Sequence, residues 1–256
     1  MSAGESDARL AARLATEAGA ILLDLQVRSG LAGKDLGKAG DAAANAFLMR
    51  ALRAARPDDA ILCEEEKDTA YRLGARRVWI VDPLDGTREY GEGRNDWAVH
   101  IALAVDHAAA VGAVALPGLA LTFTSDRPLP LAPANTPPRM VVSRTRPAPE
   151  AVAVAEEIGA ELLPMGSAGV KAMAVVRGEA DIYLHAGGQY EWDNCAPAAV
   201  AQAARLHVSR ADGSPLRYNQ ADTYLPDLLI CRPELAERVL GLFNATLPSP
   251  PCALFR

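Results

Sequence analysis

Apolar positions recur at helical spacing over residues 7–27, where Leu10, Leu14, Ala18, Ile21, Leu22 and Leu25 share one face. Ser6 or Asp7 is placed to cap that helix. A second helical pattern carries Ala44, Phe47, Leu48, Ala51 and Leu52 and stops at Pro57-Asp58-Asp59. Between the two, Gly30, Gly33, Gly37 and Gly40 punctuate a short basic and apolar segment, which predicts a mobile loop or loose hairpin over residues 30–40. Asp41 then falls at the mouth of the second helix, where its ordinary role is an N-cap.

Shorter apolar runs follow. Ala60–Cys63 reads as a strand leading into three carboxylates, Glu64-Glu65-Glu66, whose plain explanation is a solvated run. Trp79-Ile80-Val81 is a second strand, and it runs abruptly into Asp82-Pro83-Leu84-Asp85-Gly86-Thr87. Residues 97–105 and 108–116 read as an antiparallel hairpin around Asp106-His107, continued by residues 121–124. His100 lies inside the first of these runs, where a satisfied core histidine is expected rather than a ligand. Prolines then break the pattern from Arg127 to Arg139, which marks a linker or domain boundary.

Beyond that boundary strands and helices alternate. Strands are predicted at 140–143, 161–163, 181–184 and 228–231, and helices at 149–158, 167–177 and 192–206, with a further helix after the last strand. Asp212-Gly213-Ser214-Pro215 is a turn. This order argues an α/β protein with helices packed on the faces of a sheet.

Half of the 256 residues are hydrophobic and 23% are charged, a composition that buries a large core. The formal charge of −6 carries no nucleic-acid footprint. No apolar run reaches the length of a membrane span, and the first residues lack the basic and apolar regions of a secretory leader. The expectation is a cytoplasmic protein acting on a small molecule, with no nucleic-acid or membrane partner. Cys63, Cys195, Cys231 and Cys252 form no C-x-x-C pair, so they read as packed thiols rather than a zinc or redox site.

The turn after Val81 concentrates the chemistry. Asp82 and Asp85, joined by Glu64 and Asp193, could share one site only if cations neutralise them. An all-oxygen donor set without His or Cys suits Mg²⁺, and carboxylate-held Mg²⁺ commonly faces a phosphate. Pro83 stiffens the turn, the Leu84 carbonyl offers another ligand, and Gly86 and Thr87 open a turn whose N–H groups can meet an anion.

Two stretches carry a family resemblance. Residues 79–87, W-I-V-D-P-L-D-G-T, resemble the first signature of the inositol monophosphatase superfamily, the lithium-sensitive, magnesium-dependent phosphatases, and Trp192-Asp193-Asn194-Cys195-Ala196-Pro197 resembles the second. Cys63-Glu64-Glu65 and Ala39-Gly40-Asp41 are similar to two upstream family elements. Arg88-Glu89-Tyr90, Val142-Ser143-Arg144-Thr145, Gly166-Ser167 before Lys171, and residues 213–219 resemble the CysQ branch of 3′(2′),5′-bisphosphate nucleotidases, in its actinobacterial form.

The resemblance implies a layered αβαβα sandwich of the inositol monophosphatase and fructose-1,6-bisphosphatase type. An N-terminal α+β half, residues 1–137, would meet a C-terminal α/β half, residues 138–256, often in a homodimer. It implies two or three Mg²⁺ on Glu64, Asp82, the Leu84 carbonyl, Asp85 and Asp193. Gly86 and Thr87 would hold the scissile phosphate, with Leu84, Asp85 and Asp193 also facing the substrate. Asp41 and Thr87, with Glu64, would position and deprotonate the attacking water, which turns Asp41 from a cap into a catalytic group. Lys171 would meet a second phosphate or else be a plain surface lysine, with Arg144 and Arg146 as weaker alternatives. Glu191 would bind substrate hydroxyls or else be an exposed neighbour.

The implied reaction removes the 3′-phosphate of 3′-phosphoadenosine 5′-phosphate, with its phosphosulfate relative as a further substrate, in sulfate assimilation. An inositol-1-phosphate or fructose-1,6-bisphosphate phosphatase is the alternative, and a non-catalytic binding module is the third reading.

Overall fold

The computed structural model describes residues 4–246. The first helix, α1 (Asp7–Arg28), starts where Ser6 accepts from the Arg9 N–H. It is followed by α2 (Gly33–Ala55), β1 (Ala60–Cys63) and a 3₁₀ turn at Ala70–Gly74. Next come β2 (Arg77–Asp85), the short α3 (Thr87–Gly91), β3 (Ala98–Val105), β4 (Ala108–Leu116) and β5 (Leu121–Thr124). The remainder comprises β6 (Arg139–Ser143), α4 (Pro149–Ile158), β7 (Glu161–Met165), α5 (Ala168–Val176) and β8 (Ile182–Tyr190). It closes with α6 (Glu191–Ala203), β9 (His207–Ser209), β10 (Tyr224–Cys231) and α7 (Pro233–Thr246).

Two five-stranded sheets result, ordered β1-β2-β3-β4-β5 and β7-β6-β8-β10-β9. Strand periodicity explains how they are covered. On β2, Trp79 and Val81 join Leu10, Leu14, Leu48 and Leu52 of α1 and α2, while Val78 and Ile80 face the other way. That other face meets α5 and α6, whose Met173, Ala196, Ala198 and Val200 also pack on Tyr183, Leu228 and Ile230 of the second sheet. The far face of the second sheet, with Met140, Ile182 and Leu229, is covered by Val154 and Ile158 of α4 and Val239 and Phe243 of α7. The layers are therefore helix, sheet, helix, sheet, helix, the expected αβαβα arrangement.

The hairpin between β3 and β4 turns on Asp106 and His107, both with positive φ (50° and 67°), the geometry of a two-residue type I′ turn. Two expectations fail. The segment 30–40 is no loop or hairpin, because α2 begins at Gly33 and runs through Gly37 and Gly40. Asp41 consequently lies well inside the helix and caps nothing. The glycines are there for close approach: a Cβ on Gly37 would lie 2.7 Å from Thr87 Cγ2, and one on Gly40 would lie 2.7 Å from Tyr90 Cε1 and 2.9 Å from Leu84 Cδ2. Sequence reading also missed β9 and ended the strand before the second signature too early, since β8 continues to Tyr190. Cys63, Cys195 and Cys231 are free and buried, as expected of packed thiols; Cys252 lies outside the described residues.

Candidate active site

The site begins with a fault in β2. Asp82 pairs with His100 and Asp85 with Ala98, so β2 carries one more residue than β3 between these pairs. Such a bulge bends the strand and re-aims its side chains, and it is one of the few places inside a sheet where a proline such as Pro83 is tolerated. Gly86 then adopts the left-handed conformation (φ 92°), and a Cβ there would lie 2.9 Å from Ser167 Cβ. Glycine is required on both counts.

The bulge and the start of α6 bring three carboxylates together. Asp82, Asp85 and Asp193 each offer an oxygen, and these lie within 4.8 Å of one another. Asp82 is buried, with Oδ1 accepting from the Leu84 N–H at 3.0 Å. Burial first, then repulsion by Glu64, Asp85 and Asp193, raises it well above the usual carboxylate range. Asp193 accepts from the Tyr190 N–H at 2.6 Å, yet burial and Asp85 push it up to about 6. Glu64 stands at the rim of this trio. Its residue surface is exposed, but its carboxyl faces Asp82 and Asp193, and desolvation followed by the charge of Asp193 raises it to about 7.

Asp85 behaves differently. Its Oδ1 accepts from Ala168 N–H (3.2 Å) and its Oδ2 from Gly169 N–H (2.6 Å), so it sits on the N-terminus of α5. Burial pushes its pKa up, but His100, the Gly169 N–H and Lys171 together outweigh burial and hold it low. His100 is fully buried, not merely as core filling. Its Nδ1 lies 3.1 Å from the Trp192 carbonyl, which can only accept, and its Nε2 lies 3.2 Å from Asp85 Oδ2. Burial disfavours the imidazolium, but the Asp85 charge prevails and raises the His100 pKa. The core histidine expected from the sequence is thus found, and it is also the buried counter-charge of Asp85, a partnership that no local pattern in β3 reports.

On the other side of the bulge, the Thr87 hydroxyl lies 3.2 Å from the Leu84 carbonyl and 3.3 Å from Asp41 Oδ1. Burial, with a contribution from Glu65, pushes Asp41 up to about 6 despite the Thr87 hydrogen bond. α2, whose first turns occupy the segment expected to be a loop or hairpin, therefore carries Asp41 to the turn. Thr87 has one proton for two acceptors.

Two sequence-predicted contacts are placed elsewhere. Lys171 is no surface lysine: it is buried, its ammonium donates to the Gly166 and Ser167 carbonyls (2.8 Å for Ser167), and it lies 5.4 Å from the Tyr183 ring centre. Its hydrogen bonds go to the loop that starts α5, not outward to a phosphate. Glu191 is neither exposed nor open to a substrate hydroxyl. It is fully buried, and its two oxygens accept from Asn219 N–H (2.6 Å) and Gln220 N–H (2.7 Å). Arg72 completes that network by donating to Asn219 Oδ1 (2.8 Å), the Gln220 carbonyl (2.9 Å) and Asp68. Arg144 is likewise engaged, with Glu89 and Glu92 each at 2.8 Å.

A cavity of about 260 Å³ opens beside the turn, walled by Gly86, Thr87, Arg88, Ser143, Thr145 and Arg146 among others. Asp82, Asp85, Asp193 and Glu64, the Thr87–Asp41 pair and this cavity thus occupy one end of the first sheet. The donors are hard oxygens carrying more negative charge than their surroundings neutralise, which fits a divalent cation.

Residues 5–246 match the inositol monophosphatase family. The chain is 49% identical over 254 residues to the 3′-phosphoadenosine 5′-phosphate phosphatase of Mycobacterium leprae, covering 93% of this chain and 94% of that protein. It is 30% identical over 201 residues to the 3′(2′),5′-bisphosphate nucleotidase CysQ of Escherichia coli, covering 73% of this chain and 81% of the relative. Among solved structures, CysQ from Bacteroides thetaiotaomicron superposes with a TM-score of 0.74 at 26% identity, over 88% of this chain and 97% of that one. Family match, relatives and fold agree with the two signatures: this chain is a member of the inositol monophosphatase family.

Proposed function

We propose that the chain is a Mg²⁺-dependent phosphomonoesterase that hydrolyses the 3′-phosphate of 3′-phosphoadenosine 5′-phosphate, giving AMP and inorganic phosphate. The observation that carries this reading is the trio Asp82, Asp85 and Asp193 beside the Thr87–Asp41 hydrogen bond. The 49% identity to a phosphatase of that substrate supports the choice of nucleotide. The phosphosulfate analogue is a second substrate on the same chemistry. The proposed setting is the cytoplasm, in sulfate assimilation, with inhibition by Li⁺.

Glu64, Asp82, the Leu84 carbonyl, Asp85 and Asp193 would hold two or three Mg²⁺. When bound, the ions supply charge neutralisation at the phosphoryl oxygens and lower the pKa of water. The protein's own residues do the rest. Gly86 and Thr87 present backbone N–H groups to the scissile phosphate. Asp41 orients the Thr87 hydroxyl from 3.3 Å, and with its pKa raised to about 6 Asp41 Oδ1 can accept a proton passed from water through Thr87. Asp85, fixed by two N–H groups of α5 and by His100, keeps its position when protons move around it. Lys171 and Glu191 act one step back, Lys171 by holding the loop before α5 and Glu191 by holding residues 219–220.

The test compares kcat/KM for adenosine 3′,5′-bisphosphate and inositol-1-phosphate, with Mg²⁺ and with added Li⁺. At least a tenfold preference for the adenosine bisphosphate, about 1.4 kcal/mol of transition-state discrimination, is expected. A reversed preference would assign the chain to inositol phosphate or fructose bisphosphate hydrolysis instead.

A further inference from the structure

We infer that His100 is a positioning residue that makes the carboxylate trio select a small divalent cation, by walling Asp85 from behind and tying that wall to the segment that presents Asp193. The inference rests on the reading that the trio holds Mg²⁺ and adds to it the residue that sets cation size. Three observations carry it.

The first is placement. His100 stands opposite Asp82 in the register of β2 and β3, so the two side chains share one face of the sheet. From there its Nδ1 lies 3.1 Å from the carbonyl of Trp192, the residue before Asp193, and its Nε2 lies 3.2 Å from Asp85 Oδ2. One side chain thus spans both segments that bring the trio together, the β2 bulge and the start of α6. The second is the unequal support of the three carboxylates. Asp82 and Asp193 are each met by one backbone N–H from within their own segment. Asp85 is held by two other elements, by α5 through the Ala168 and Gly169 N–H groups and by β3 through His100. Nε2 makes no aligned hydrogen bond, so the fully buried ring meets Asp85 as a wall rather than as a tether.

The third is the space behind the ring. A Cβ on Gly169 would overlap His100 Nε2 and lie 3.0 Å from Ala98 Cβ. Glycine at this helical position is what lets the imidazole stand against α5 and Asp85 together. The Asp85 carboxylate therefore has no room to retreat. Cation size follows from that. Mg²⁺ takes oxygen ligands at about 2.0–2.1 Å in a strict octahedron, whereas Ca²⁺ takes them at about 2.3–2.6 Å with looser geometry. A site with one immovable wall favours the shorter radius, and a site whose carboxylate can yield serves the larger ion as well.

The experiment measures calorimetric binding of Mg²⁺ and of Ca²⁺ to the wild-type chain, His100→Ala, His100→Gln, and His100→Ala combined with Gly169→Ala, with Tm recorded for each. In His100→Ala the affinity for Mg²⁺ is expected to fall roughly tenfold while that for Ca²⁺ changes by less than about threefold. His100→Gln keeps bulk and a donor for the Trp192 carbonyl, so it should recover part of the preference, and it carries the test if His100→Ala does not fold. In the double variant the new methyl group stands in the place of Nε2 and should restore much of the Mg²⁺ preference without an imidazole. Equal losses for both ions in His100→Ala and His100→Gln, or an unchanged preference, overturn the positioning role while leaving the functional reading in place. A double variant as unselective as His100→Ala overturns the wall as the cause. A wild-type chain that binds no Mg²⁺, and hydrolyses adenosine 3′,5′-bisphosphate equally with and without it, overturns both readings.

Discussion

Two groups of buried carboxylate sit within a few residues of each other on α6, and the protein treats them in opposite ways. Glu191 at the start of the helix is fully buried, but each of its oxygens receives a backbone N–H and Arg72 lies close by. Asp193, two residues on, faces Asp82 and Asp85 within 4.8 Å and is met by one N–H. The first arrangement is complete as it stands. The second stays deficient in positive charge until something is added, and such a deficit, maintained at a stability cost, marks a functional site.

Breaking the deficient cluster should abolish chemistry while sparing the fold. Asp82→Asn removes one charge from the trio and keeps its shape. The expected loss in kcat/KM is on the order of 10³-fold, about 4 kcal/mol of transition-state stabilisation. Thermal unfolding of the cation-free variant should match or exceed that of the parent, because the cost of burying or protonating that carboxylate has gone. A destabilised variant with normal activity would reverse the roles assigned to the two groups. Asp85 is less suitable for this test, since it also holds the first turn of α5.

Breaking the complete network should do the opposite. Glu191→Ala leaves the Asn219 and Gln220 N–H groups unpaired in the interior, while Arg72 keeps its pair with Asp68. The expected destabilisation is about 3 kcal/mol, read as a Tm lower by several degrees. Glu191→Gln should recover part of it by accepting one of the two bonds. Cation affinity should move little in either variant, provided that folded protein is measured.

These two groups also show where sequence was informative. Asp82, Asp85, Asp193, Glu64, Asp41 and Thr87 all come together at one end of the first sheet, and four of the six lie in the two signature motifs, whose residue order is unusual enough to be read directly. The sequence of helices and strands was largely legible as well, because period-2 and period-3.6 patterns are local, whereas the order of the layers followed from the family resemblance. Glu191 was misjudged because its partners, Asn219 and Gln220, lie 28 and 29 residues away in a loop without a periodic signal. Lys171 was misjudged for a related reason: its acceptors are main-chain carbonyls, which no side-chain pattern reports. The segment 30–40 failed by a different route. Glycine was weighed as a breaker, whereas Gly37 and Gly40 are there to let α2 touch Thr87, Leu84 and Tyr90, a tertiary demand that overrides local propensity.

The smallest expected effect is the response of the two groups to pH, and it separates them most directly. In the cation-free protein Asp193 lies at about 6 and Glu64 at about 7, both above their ordinary values near 4. Carboxylates with raised folded pKa values contribute their full stability below about pH 4 and lose it as pH rises through 6 to 7. A bound cation needs the charged form, so binding must release protons over that window and tighten as pH rises. Titrating Mg²⁺ into the protein at pH 6 and pH 8 should show an affinity about tenfold higher at pH 8, equivalent to about 1.4 kcal/mol. Asp193→Asn should flatten this dependence along with weakening the binding. Glu191→Gln should leave the slope in place: burial raises this carboxylate too, against the Asn219 and Gln220 N–H groups, but it stands outside the trio and takes no part in the exchange of protons for metal. Equal flattening in both variants would show that the helix start titrates as one unit, and the distinction between the two carboxylates would then be one of geometry alone.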